Sequence, residues 1–267
     1  MSMTLQDMTN VATLTRNLAS KASTAGNTNG GVNASGVSDP LAGALDTASK
    51  RISTQVSQTN VQLSSYGQIK SGFASLQTTG KALTTLAKDA TAGDVSKAAQ
   101  SLANAFNSTS SAVSTAVNGN SKSAGALAND QLARLASNDL RRVVTSSAGI
   151  ADLQNIGISV GQNGTLSVDT KALEKAFQAN PDAVKSTLSK LGQQANTSAT
   201  QELSSSGAVG SAVNSLNNRA KNLAAAQQQQ QNLGASAQAA IQQSADQSAS
   251  FGGMSAGISA YMKMFSL

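Results

Sequence analysis

The sequence predicts a mainly α protein in which long N- and C-terminal helices pair as a coiled coil and flank a helical bundle with a small β-hairpin. Three observations predict this fold. Apolar residues repeat at steps of three and four along two stretches far apart in the chain. About a third of the 267 residues are Ala or Ser, against five Phe, two Tyr and two Pro. One short segment alternates around an Asn-Gly turn.

A disordered leader is predicted for residues 1–40. The stretch 22–40 is small, polar and rich in Gly, so it cannot bury enough apolar surface to offset the entropy of ordering. Residues 1–25 lack the positive start and apolar run of a secretory signal. We therefore expect either a cytoplasmic protein or export by a route that reads no cleaved signal.

The first long helix is predicted over about 40–88. Asp39 is a plausible N-cap, with Pro40 in the first turn. Gly67, Gly72 and Gly80 weaken this helix by about 1 kcal/mol each relative to Ala, and one of them is expected to mark a bend or a close helix contact. Its apolar stripe consists of Leu45, Ile52, Val56, Leu63, Tyr66, Ile69, Phe73, Leu76, Leu83 and Leu86.

Shorter elements follow in the middle of the chain. After a turn at 89–94, a second helix is predicted from Val95 to Val117, and a third over about 129–145. Apolar alternation on both sides of the turn at 161–164 predicts a β-hairpin at 153–168.

Two helices are predicted directly after the hairpin. Asp169 is expected to cap a helix over 170–179. Asn180 then ends it, and Pro181 opens a second helix predicted to reach residue 191.

The last element is a long C-terminal helix with its own stripe. The stripe is apolar at both ends and polar at 227–231, and Gly252 with Gly253 predicts that the helix breaks or frays there. The Gln-rich stretch is interpreted as solvent-facing, with the alternative that buried Gln sets register or oligomer number. The domain organisation follows: leader at 1–40, N-terminal coiled-coil helix at 41–61, helical head at 62–205 and C-terminal coiled-coil helix at 206–267.

Four blocks of the sequence resemble the flagellar hook-associated protein 2 family, the filament cap proteins. They lie at 62–86, 102–107, 125–135 and 153–191, in the family's order. The last block is the most specific, because GTLSVD at 164–169 and NPDAV at 180–184 stand at the expected places. The resemblance implies a structural protein of the bacterial flagellum, secreted through the flagellar export channel.

The chain also departs from that family. The family carries two β-rich domains between its first long helix and the helix that begins with the aromatic-Asn block. Only residues 87–94 fill that place in this sequence. The resemblance therefore implies a reduced form of the family. Instead of a conventional tip cap, we expect a reduced cap, a component of a filament junction or a related secreted assembly protein.

The candidate functional residues form a self-association seam on the two terminal helices. We expect them to drive a homo-oligomer and to dock on flagellar filament or hook-junction subunits, with an export chaperone as a further candidate partner. The plain alternative for Tyr66 and Phe73 is a core role. The predicted seam residues are Leu45, Ile52, Val56, Leu63, Tyr66, Phe73, Val213, Leu216, Leu223, Ile241, Phe251, Ile258 and Phe265.

Several function classes are disfavoured by composition. Without His and Cys there is no Ser-His-Asp triad, thiol nucleophile or ordinary zinc site, and we predict no enzyme, cofactor or metal. The net charge of +6 is scattered and lacks adjacent aromatics, so no nucleic-acid partner is expected. No apolar stretch is long enough for membrane insertion.

Two other classes remain open from the sequence. A harpin-like or translocator-like protein of a virulence type III secretion system also lacks Cys and is rich in Gly, Ser, Ala and Gln. A cytoplasmic coiled-coil scaffold is the third class. The hairpin block at 153–191 argues against a harpin-like chain, which has no reason to carry it.

Overall fold

The computed structural model describes the backbone of residues 40–86, 89–120, 122–146, 150–161 and 164–264. It also describes their side chains, except those of 40–42, 146 and 240–264. The predicted leader up to residue 39, the Asp39 cap and Phe265 lie outside these residues. Internal contacts divide the chain into the units Met1–Ala44 and Leu45–Leu267. Residues 40–44 of the first unit are helical, and the second unit holds the other described elements.

The mainly α fold with a small hairpin is confirmed. Helix α1 spans Pro40–Thr84, and its second half turns a row of large side chains into the core. The row keeps the predicted steps of three and four, because a helix buries the same face every 3.5 residues when it packs on a partner. Its fully buried members are Tyr66, Ile69, Phe73, Leu76 and Leu83.

Helices α2 and α3 each begin at a side-chain cap. Helix α2 spans Ala92–Asn118, and Thr91 and Asp94 form a reciprocal capping box at its start. Helix α3 spans Gln131–Ser146, where Asp130 Oδ1 accepts the amides of Leu132 and Ala133 at 2.9 and 3.2 Å. A short helix that the pattern did not predict, α4, follows at Ile150–Asn155.

A hairpin forms between β1, Ile158–Val160, and β2, Leu166–Val168. It is shorter than the predicted 153–168, because residues 153–155 belong to α4. The strands are antiparallel, and Ser159 pairs with Ser167. Gly157 takes a φ of 83°, and a Cβ there would lie 2.9 Å from the Leu173 nitrogen, so only Gly fits this entry to the hairpin.

The two helices after the hairpin start where the sequence predicts. Helix α5 spans Thr170–Ala179 behind the Asp169 cap, and helix α6 spans Pro181–Leu203 behind the Asn180 cap. Helix α6 runs past the predicted end at 191. Its buried face continues through Ala195 and Ala199, both fully buried. The buried residues of this extension are small, and a prediction based on large apolar side chains does not detect them.

Helix α7 spans Ala208–Met264 and is continuous through Gly252 and Gly253, so the predicted break there is wrong. An isolated Gly pair costs helix stability but leaves every backbone hydrogen bond in place. Residues 85–91 connect α1 directly to α2, and the described part of that connection contains no strand. The β-rich domains of the family have no counterpart there.

Helices α7 and α6 lie end to end along α1, both antiparallel to it. The Gln230 amide of α7 reaches the Leu45 carbonyl of α1 at 2.9 Å. Farther along, the Gln77 amide donates to the Thr200 hydroxyl of α6 at 2.8 Å. The N-terminal part of α1 therefore lies beside α7, and its C-terminal part lies beside α6. Residues 204–207, which connect α6 to α7, are called the joint.

Helices α1 and α6 approach each other closely at a pair of glycines. A Cβ placed on Gly80 would lie 2.7 Å from the Gly192 carbonyl oxygen, and one on Gly192 would lie 2.6 Å from that of Gly80. The sequence predicted a close contact at one of three glycines of α1. It occurs at Gly80, and also at Gly72 against Thr109 of α2, whereas Gly67 faces open space.

Gly80→Ala is therefore expected to destabilise the protein by about 1–3 kcal/mol, because the added methyl forces α1 away from the α6 backbone. Gly67→Ala, on the same helix, is the matched control and should raise the free energy of unfolding by up to about 1 kcal/mol. Urea unfolding followed by circular dichroism measures both. Equal effects of the two variants would contradict the close contact.

Candidate functional site

The candidate site is the terminal seam, defined as the facing rows of α1 from Leu45 to Leu63 and of α7 from Val213 to Gln230. Along α7, less exposed residues recur at steps of three and four, through Leu216, Ala220, Leu223 and Gln227. This spacing is that of a two-helix contact. Most of the row is only half-buried. Pairing within one chain therefore leaves part of the seam in contact with water.

The structure divides the predicted seam residues into three groups. Tyr66 and Phe73 are fully buried, and Leu223 is buried, so one copy of the chain already covers them. The described residues outside that core are half-buried: Leu45, Ile52, Val56, Leu63, Val213 and Leu216. The third group, Ile241, Phe251, Ile258 and Phe265, has side chains outside the described residues. A self-association role for the whole set stays a prediction.

One polar contact fixes the alignment of the seam. Gln230 is half-buried, and its Nε2 donates to the Leu45 carbonyl oxygen, 185 residues earlier in the chain. Its neighbours Gln228, Gln229 and Gln231 are exposed. The Gln-rich stretch is thus mostly solvent-facing, and one of its members contacts α1 of the same chain.

Apolar side chains beside the seam add to the uncovered surface. Val61 of α1 and Leu233 of α7 are 54% and 53% exposed. Single exposed apolar residues are ordinary on protein surfaces. On two helices whose seam is itself half-buried, they extend the apolar area available to another molecule.

The hairpin is held in place by a residue that the sequence analysis mentioned only as part of a block. Asn107 of α2 donates from Nδ2 to the Leu166 carbonyl at 2.8 Å and accepts the Leu166 amide at Oδ1, also at 2.8 Å. The side-chain amide thereby occupies the place of a third strand. We call this pair of bonds the Asn107 clamp.

The described residues contain no group of three or more acidic side chains placed to hold a metal ion. In the same part of the chain, no helix has the length and apolarity needed to cross a membrane. Between α1 and α2 lies an open polar groove lined by residues such as Gln68, Ser108 and Ser111.

A family model described as flagellar hook-associated protein 2 C-terminus matches residues 94–259, more than half of the chain. No curated protein and no solved structure matches the chain. The matched span begins in the first turn of α2 and includes the Asn107 clamp, the hairpin and most of α7. It confirms the family that the blocks at 102–107, 125–135 and 153–191 predicted.

Asn107→Leu is expected to lower the free energy of unfolding by about 2–4 kcal/mol, because it leaves two backbone groups of Leu166 without partners in a part-buried site. Asn104→Leu, one turn earlier on the exposed side of α2, should change it by less than about 0.5 kcal/mol. Amide hydrogen exchange at Leu166 and chemical denaturation provide the measurements. Unchanged protection in Asn107→Leu would contradict the clamp.

Proposed function

This chain belongs to the flagellar hook-associated protein 2 family and is a structural protein of the flagellar cap type, and from that premise we propose how it assembles. Copies of the chain associate through the terminal helices, and the assembly docks on flagellar filament or hook-junction subunits. In this proposal residues 41–61 and 206–267 act as the rod, and residues 62–205 act as the head.

The observation that carries the proposal is the incomplete burial of the terminal seam. Half-buried Leu and Ile side chains on two antiparallel helices leave apolar surface that a third or fourth helix would cover. Covering it contributes about 25 cal/mol for each Å² removed from water. A second copy of the chain supplies helices with the same spacing.

The proposal places export before assembly. The protein lacks disulfides because it has no Cys, and its large side chains are few, so unfolding it for passage through a narrow channel needs little free energy. We propose that it reaches the flagellum through the flagellar export machinery and folds outside the cell. The loop at 85–91 stands where the family has its β-rich domains, so the proposed contacts fall on the helices.

Deleting residues 251–267 is expected to lower the oligomer size, because the deletion removes the apolar seam positions Phe251, Ile258 and Phe265. Light scattering coupled to size exclusion measures the mass. A triple Ser substitution at these positions keeps the length and should have the same effect. Ser250→Ala with Ser259→Ala, off the stripe, is the control. An unchanged mass in both shortened and substituted chains would show that the seam is not the interface.

Export is expected to depend on the flagellar machinery. The protein should be found in the culture supernatant of cells with an intact flagellar export apparatus and should be lost from it when that apparatus is inactivated. Immunoblotting of supernatant and cell fractions measures this. Continued export through a virulence secretion system would favour the harpin-like class, and retention in the cytoplasm of intact cells would favour a scaffold.

A further inference from the structure

The joint between α6 and α7, residues 204–207, is built around a buried carboxyl group. Glu202 is 3% exposed, and its Oε2 accepts the Val209 amide in the first turn of α7 at 3.3 Å. Gly207 and Gly210 pack so closely on the carbonyls of 201–204 that a Cβ on either would lie about 2 Å or less from an oxygen. Only glycine therefore fits at these two positions of the joint.

A second carboxyl group faces Glu202 from the neighbouring helix. Asp139 of α3 lies within hydrogen-bonding range of it. Asp139 is itself paired with the exposed Arg142, whose Nη1 is 3.6 Å from Asp139 Oδ1. Among the described residues, no Lys or Arg forms an ion pair with Glu202. Two carboxylates cannot approach this closely in a buried site unless one of them holds a proton.

In the described part of the chain, the side chains of other elements that act on Glu202 are acidic or uncharged. Helix α1 presents Tyr66, whose hydroxyl is buried without a hydrogen bond and has Asp130 close by. Glu202 is the one ionisable residue of α6 between 191 and 203. The first turn of α7 contains none. Burial, followed by the hydrogen bond and charge of Asp139, raises the pKa of Glu202 from 4.5 to about 7. The Val209 amide opposes this rise without overcoming it.

We propose that Glu202 and Asp139 form a proton-dependent latch on the joint between α6 and α7. In the closed state the protonated Glu202 donates to the Asp139 carboxylate, which pairs with Arg142, while the other Glu202 oxygen accepts the Val209 amide. This arrangement ties α3 to both α6 and α7. When the proton leaves to water, two adjacent carboxylates repel each other, and the joint admits solvent.

The direction of the pH effect follows from the raised pKa. Between about 4.5 and about 7, the folded chain holds a proton that the unfolded chain has released. The stabilisation is therefore complete below pH 4.5 and is lost as the pH rises through 7. The latch is closed in mildly acidic surroundings and open in alkaline ones.

The titration of Glu202 can be observed directly, because the sequence contains only one other Glu, Glu174. Carbon-13 labelling of Glu in the full-length Glu174→Gln chain leaves one carboxyl resonance. We expect its midpoint near pH 7 and a lower midpoint after Asp139→Asn, whose amide can donate to the ionised Glu202. A midpoint near 4.5 in both chains would overturn the proposal.

Hydrogen exchange tests whether the proton controls the joint. After correction for intrinsic rates, protection at 200–212 should fall about tenfold between about pH 5.5 and pH 8.5 in the wild type, since the pH crosses the raised pKa. Glu202→Gln, which is neutral at every pH, should keep its protection. Asp152→Asn, exposed on α4, should behave like the wild type. An equal loss of protection in Glu202→Gln and in the wild type would overturn the latch. If Glu202→Gln does not fold, the titration of Glu202 in Asp139→Asn tests the latch instead.

Discussion

The fold depends on one packing constraint: helix α1 must be covered along its length by two helices, α6 and α7, that follow each other end to end. The constraint is met in different ways at different points. Near the head, Gly80 and Gly192 let the backbones touch, and the buried Leu83 and Ala195 pack beside them. Along the rod, half-buried residues and the Gln230 contact maintain the pairing. Composition explains the division, since a chain about one-third Ala and Ser can bring helices close but has few large side chains to bury.

The sequence predicts the helices well because their caps and stripes are local. Asp169 and Asn180 stand at helix starts where short polar side chains can accept backbone amides. The turn predicted at 89–94 is shorter in the structure, because Thr91 caps α2 and the helix begins at Ala92, before the predicted Val95. The end of α6 was predicted twelve residues too early because its last turns bury Ala195 and Ala199, and Ala is equally common on exposed helix faces. Periodicity indicates that a helix has a seam, but it does not identify the partner. Only the folded chain shows Tyr66 and Phe73 covered by the same copy.

The contacts that sequence reasoning missed are those between distant polar groups. Asn107 and Leu166 are 59 residues apart, and nothing local marks that Asn as the partner of a strand edge. Glu202 belongs to no motif, and its burial results from the meeting of α1, α3, α6 and α7. Asn107 lies within the family match, which spans residues 94–259. Glu202 lies in the same span, yet its burial and raised pKa became visible only from the packing.

The short connection at 85–91 bears on how a member of this family can work without β-rich domains. Helix α2 starts from its own capping box and so does not need an inserted domain to begin it. The hairpin rests on α2 through the Asn107 clamp, and α6 rests on α1 through Gly192, so the head is complete from contacts within the helical part. An insertion at this connection would project from the end of α1 without entering that core. The contacts within α1, α2, α6 and the hairpin thus form without such domains.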